Sequence, residues 1–172
     1  MTPDTRLCRN DEQATIAAIV NAAAEKYRGV IPSDCFHDPY MSRKALATEI
    51  ASGVVFWGSE DDGALAGVLG LQIVRGQALI RHAYVLPALQ GHGIGSRLLD
   101  FLLAKQTGAV LVGTWADASW AIHFYQRHGF VLNARDETVR LLHSYWTVSE
   151  RQIETSVVLR REEASGLQLG AG

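Results

Sequence analysis

Cysteine is scarce in this sequence. Cys8 and Cys35 are the only two in 172 residues, and they form no CxxC pair. That argues against a disulfide scaffold and leaves reduced thiols in the cytosol as the simpler reading. Charge of one sign is not in excess either. With a formal net charge of -2, the chain lacks the basic bias of a general nucleic-acid binder. No uncharged apolar run is long enough to span a membrane, and the opening MTPDTRLCRNDEQ has no apolar signal core. The histidines, at 37, 82, 92, 123, 128 and 143, form neither HExxH nor a Cys/His ligand set, so no metal is expected. Lys-Ser and Lys-Thr do not occur, which removes the Walker A loop. Internal repeats, low-complexity tracts and domain linkers are absent too.

What is present suits one ordinary globular domain: 48% hydrophobic and 20% charged residues. We assign that domain to residues 1–163 and read 164–172, which lack periodicity, as a loose tail. Asn10 with Gln13 resembles a capping box. Behind it Ile16, Ile19, Val20, Ala23, Ala24 and Tyr27 share one helical face. Ser42 caps a second expected helix, which Gly53 ends. Then the period changes. VVFWG, ALAGVLGLQIV and ALIRHAYVL read as a meander of strands. A helix is expected over about 93–107, stopped by Gly108, then a buried strand, AVLVGTW. SWAIHFYQRH is a short helix closed by Gly129, and FVLN starts a strand. DETVRLLHSYW has helical spacing at Val139, Leu142 and Trp146, with Asp136 as its cap, and ETSVVL is the last strand.

The sharpest local signal is QGHGIGS, Gln90–Ser96, between a strand and a helix. Three glycines in five residues exceed what a tight turn needs. They suit a backbone that something must approach closely. Free amides and the helix dipole there favour an anion, typically phosphate. GxGxxG is half matched by Gly91, Gly93 and Ser96, with Asp117 after the next strand. A dinucleotide fold, however, wants repeated βαβ units, and here a meander comes first.

A second pattern fits the chain better. Gln90-Gly91-His92-Gly93-Ile94-Gly95 matches Q/R-x-x-G-x-G/A after YVLP, and WAIHFYQRHGF matches A-x-x-F-Y-x-x-x-G-F. Together, in order and over residues 78 to 132, these resemble the GNAT superfamily of N-acetyltransferases. The resemblance implies an α/β (α+β) fold with a mixed, mostly antiparallel central sheet and helices on both faces. It implies acetyl-CoA as the acyl donor, its pyrophosphate cradled by Gln90, Gly91, His92, Gly93, Ile94, Gly95 and Ser96. It places Val85 and Leu86 along the pantetheine arm, one of them offering an amide to the thioester oxygen. It makes Tyr125 the general acid toward the coenzyme sulfur. A small-molecule primary amine is the expected acceptor, reached by direct transfer in a ternary complex. The homodimers common among relatives are a further expectation.

The general base is less legible. Many relatives use a glutamate on the strand before the loop, whereas ALIRHAYVL holds only His82. A bulge there would decide which face His82 occupies. Asp117 is the other candidate, with helix capping as its plainer role. Where relatives often carry a coenzyme-binding asparagine, this chain has Ala118. Trp115, at a strand end, and His143 and Trp146, on the helical segment, are expected at the acceptor site. Two other readings stay open at this point: a non-catalytic acyl-CoA-binding module on the same fold, and a Rossmann-like dinucleotide enzyme.

Overall fold

The computed structural model describes residues 4–163. The expected tail at 164–172 lies outside the described residues. The strands are β1 (Thr5–Leu7), β2 (Val55–Asp61), β3 (Ala64–Val74), β4 (Gln77–Val85), β5 (Val110–Trp115), β6 (Val131–Leu132) and β7 (Ser156–Arg161). They join in one sheet, ordered β1-β2-β3-β4-β5-β7-β6. Every neighbouring pair is antiparallel except β4 and β5, which run parallel. The mixed, mostly antiparallel sheet matches the expectation.

The helices are α1 (Gln13–Ala24), α2 (Arg43–Ala51), α3 (Ile94–Leu103), α4 (Ser119–Arg127), α5 (Arg135–Tyr145) and α6 (Glu150–Glu154). Strand side chains alternate between the two faces of the sheet, so each face collects its own core. Ile80, Val112 and Leu159 pack with Leu98, Leu99 and Leu102 of α3 and Tyr125 of α4. Leu79, Leu111 and Val158 point the other way, onto Leu141 and Leu142 of α5. Further along that second face, Val54, Phe56 and Val68 meet Ile16, Ile19 and Val20 of α1 and Leu46 of α2. Leu98, Leu99 and Leu102 are almost fully buried, each contributing about 1.5–3 kcal/mol of transfer free energy. No helix among the described residues is long and apolar enough to cross a membrane.

Several local expectations need correction. The helix start is capped by Glu12 rather than by Asn10 and Gln13: the Arg9 amide donates to Glu12 Oε2 at 2.6 Å, and the Glu12 amide donates to the Arg9 carbonyl at 3.0 Å. Helix α3 ends at Leu103, before Gly108, which sits in the loop beyond with φ 87°. On α5 the cap position is Ala134, and Asp136 lies inside the first turn. Its buried residues are Thr138, Leu141 and Leu142, and the expected Val139 and Trp146 pack, partly buried, against the same cluster. Strand β1 and helix α6 carry too few residues to show a period.

Candidate active site

The site is built where two central strands separate. β4 and β5 pair only from Ala78↔Val110 to Ile80↔Val112. Beyond that β4 continues along β3 to Val85, and β5 continues along β7 to Trp115. A wedge opens between them. β4 also carries a bulge. Val68 pairs with Tyr84, but Gly70 pairs with Arg81, so β4 holds one extra residue, and His82 takes φ 56°. A regular strand would send Arg81 and His82 to opposite faces. With the bulge, both approach Glu49 of α2.

At the mouth of the wedge lies the glycine loop. Pro87–Leu89 makes a single tight turn, and Gly91 and Gly93 take φ 83° and 80°. A side chain is strained in that left-handed region. The first amide bonded within α3 is that of Arg97, to the Gly93 carbonyl at 3.0 Å. The amides of Ile94, Gly95 and Ser96 therefore have no acceptor in the helix and point out of its positive end. Gly95 keeps open the space between Val85 and Phe124: a Cβ there would lie 3.5 and 3.6 Å from those side chains. The resulting cleft holds about 390 Å³. Gln90, Gly91, Gly93, Ile94, Gly95, Ser96 and Val85 line it, with Phe124, Tyr125 and the cations Lys26 and Arg127.

Two residues expected along the coenzyme, His92 at the loop and Leu86 beside the pantetheine arm, do not line this cleft. The His92 ring folds back, Nδ1 3.1 Å from the Leu89 carbonyl, and does not line the cleft. The Leu86 amide donates to the Ala66 carbonyl at 2.8 Å, so it turns toward β3. Strand alternation then turns the Val85 amide to the open side of β4. Of the two expected donors to a thioester oxygen, Val85 alone has its amide free for that work.

A second cavity, about 220 Å³, occupies the other end of the wedge. Tyr27 and Tyr84 line both cavities, so the two adjoin. Glu49, Arg81 and His82 stand in its wall, with Tyr40, Trp115 and Trp146 as its aromatic sides. His82 Nε2 is hydrogen-bonded to Glu49 Oε2, and Arg81 Nη2 is 3.6 Å from Glu49 Oε1. Burial pushes the Glu49 carboxyl up, but His82 and Arg81 outweigh it and hold it below the ordinary carboxylate value. Trp115 Nε1 donates to the Tyr40 hydroxyl at 2.7 Å. Trp146 lies over Gly113, where a Cβ would be 3.4 Å from its ring. Burial raises the Tyr84 hydroxyl well above its ordinary value, helped by Tyr27 and Tyr40.

Tyr125 is buried between Phe124 and Phe130, with ring centroids 5.2 and 5.5 Å away. It lines the cleft, and its hydroxyl has no hydrogen-bond partner among the described residues. Burial holds its proton more tightly than in free tyrosine. Two further candidates stay outside both cavities. Asp117 is exposed and makes no capping bond to α4. His143 is half exposed and pairs with Glu150 at 2.9 Å. Neither thiol reaches the site, and burial pushes Cys8 up to about 11. Sequence reasoning missed Glu49. One signal was there: Glu49 follows Leu46 by three, which puts it near the buried stripe of α2.

Residues 52–132 match the model of the acetyltransferase (GNAT) domain family. No curated protein sequence matches the chain closely enough to count as a relative. Among solved structures the chain is similar to PaiA N-acetyltransferase from Thermoplasma acidophilum in complex with coenzyme A. The TM-score is 0.69 at 17% identity, covering 94% of this chain and 99% of that one. Ribosomal-protein-S18-alanine N-acetyltransferase from Escherichia coli gives 0.64 at 16%, over 97% and 98% of the two chains. YncA, a putative acetyltransferase from Salmonella typhimurium with its cofactor acetyl-CoA, gives 0.65 at 18%, over 94% of each. The glycine loop and the splayed strands lie within the stretch that matches the GNAT family model, and the fold is one that the chain shares with these acetyltransferases.

Proposed function

We propose that the chain transfers an acetyl group from acetyl-CoA to the primary amine of a small molecule, directly and in a ternary complex. The observation that carries this is the continuous wedge. It runs from free amides at the start of α3, past Tyr125, to the His82–Glu49 pair. Acetyl-CoA would supply an activated acyl group. The residues for holding it fit: open backbone at Gly91, Gly93 and Gly95, cations at Lys26 and Arg127, and an unpaired β4 edge.

Each protein group has a separate task. The loop amides bind the pyrophosphate. The Val85 amide faces the thioester oxygen, where a fixed dipole stabilises developing charge by a few kcal/mol. His82 takes the proton of the amine. The Glu49 carboxylate orients its ring and offsets the charge that forms. Tyr125 gives its proton to the departing thiolate. An ordinary tyrosine near ~10 faces a thiol near ~8.5, and the burial that raises Tyr125 also makes a thiolate in the same cleft more basic. Thiols outside both cavities leave a covalent acyl-enzyme without a cysteine nucleophile. A reducing compartment such as the cytosol suits both unpaired cysteines.

The small size of the second cavity and the Trp146 wall favour a small acceptor over a protein chain. The test is to incubate the protein with acetyl-CoA and a panel of small amines and peptides, following free thiol release and product mass. Acetylation of a small amine supports the proposal. Tight binding of coenzyme A with no turnover on any amine would instead make the chain a binding module.

A further inference from the structure

Ser96 sits on the first turn of α3 and lines the larger cleft. Its hydroxyl is 3.0 Å from Nε2 of His128, just after α4. The other ring nitrogen, Nδ1, is 3.1 Å from Asp100 Oδ1. Asp100 lies one turn along α3 from Ser96. The His128 ring is largely buried against Phe124, with centroids 4.9 Å apart. None of the steps derived above uses His128 or Asp100.

We propose that His128, held by Asp100, is a positioning residue for coenzyme A: it decides whether the Ser96 hydroxyl proton faces the phosphates. This rests on the cofactor reading of the cleft. A serine hydroxyl has one proton, and an ionised carboxylate can only accept. Asp100 therefore fixes a proton on Nδ1 in either charge state of the ring. When His128 is neutral, its Nε2 is an acceptor and draws in the Ser96 proton. The serine then presents lone pairs to an incoming anion. When His128 is protonated, Nε2–H donates to the Ser96 oxygen. The hydroxyl proton is released toward the cleft and donates to a phosphate oxygen. Binding of the pyrophosphate is thereby linked to uptake of one proton from solvent.

The charged groups around the ring come from three elements. Asp100 belongs to α3, and Arg127 is the chain neighbour on α4. From β7, Arg161 donates its Nε to the His128 carbonyl at 3.1 Å, and Glu163 beyond it lines a surface pocket that Asp100 also lines. Also on α3, Arg97 is turned away to the His92 carbonyl. Of these, Asp100 alone bonds the ring nitrogens.

The test is calorimetric titration of dephospho-coenzyme A between about pH 5.5 and about pH 8, which spans imidazole titration. This ligand lacks the 3′-monophosphate, which titrates in the same window. Wild type should bind roughly tenfold tighter at the acid end, the size of one charge-assisted hydrogen bond. Heats in buffers of different ionisation enthalpy should report net proton uptake. Ser96→Ala, with no hydroxyl to turn, should give an affinity flat with pH. His128→Gln, whose amide donates at every pH, should be flat as well. Asp100→Asn should move the wild-type step to lower pH. His92 is present in every variant, so its contribution cancels in the comparison. The same pH dependence in wild type and Ser96→Ala would overturn the inference and leave the cofactor reading standing. No binding at any pH would overturn both.

Discussion

Replacing the Tyr125 hydroxyl by hydrogen removes a proton donor and leaves a ring still packed on Phe124 and Phe130. Tyr125→Phe should therefore lower kcat by roughly 10²-fold, with coenzyme A affinity nearly unchanged. Steady-state kinetics beside a direct binding measurement checks it, and an unchanged kcat where chemistry limits the rate would leave Tyr125 a packing role. Glu49 gives a second residue-scale prediction. Glu49→Gln keeps the shape but removes the charge behind His82. kcat/KM for the amine should fall roughly tenfold or more, while KM for acetyl-CoA holds. Equal loss in both would point to a collapsed α2 instead, which circular dichroism would detect. The places of Tyr125 and His82 beside the two cavities were legible because each stands in a motif or on a strand whose position is fixed by its neighbours. Glu49 was not, because it reaches the site from another helix, 33 residues earlier in the chain. The bulge that turns His82 toward it leaves no mark in a single sequence.

At the scale of elements, α5 places Trp146 against Gly113 in the wall of the second cavity. Trp146→Ala should enlarge that cavity without touching the glycine loop. Larger amines should then be accepted, and KM for the best small amine should rise several-fold, as expected when a wall is lost. An acceptor profile identical to wild type in a folded variant would make α5 a surface helix only. The helix and its Val139, Leu142 and Trp146 contacts were visible in the spacing, whereas the deeper burial of Thr138 and Leu141 was not. Trp146 lies past the last helical residue, so it does not follow the helical angle. His143 shows the same limit: helical position alone did not say that Glu150, from α6, holds it at the surface.

The sheet as a whole was legible in outline because its central strands alternate or run apolar and its turns carry Gly and Asp. Its edge was not. β1 spans three residues, Thr5–Leu7, and is anchored by charge as well as by pattern. Arg6 bonds Glu12 at 2.8 and 3.0 Å and Glu60 at 2.7 Å, tying the first residues to β2. The Arg6 hydrogen bonds, joined by the Arg9 amide, hold the Glu12 carboxyl down at about 2, against an ordinary 4.5. A lowered carboxyl contributes stability above its unfolded value and loses it as pH falls through the folded one. Wild type should therefore lose stability between about pH 4.5 and pH 2, and Glu12→Gln should be flatter over that window. At neutral pH the variant should be less stable by about 1–2 kcal/mol, less than the shift alone implies because Arg6 is partly in water. Parallel acid-melting curves of the two proteins would decide it.

Coenzyme A in the cleft at the start of α3 is what every proposed step requires. The most direct measurement is calorimetric titration of coenzyme A, and separately of NAD, into wild type and Gly93→Val. Coenzyme A should bind wild type, and NAD should not. Gly93→Val, whose side chain would sit at φ 80° beside Arg97, should lose coenzyme A affinity at least tenfold while still folding. Binding of NAD without coenzyme A, or equal coenzyme A affinity in both proteins, would contradict that placement of coenzyme A.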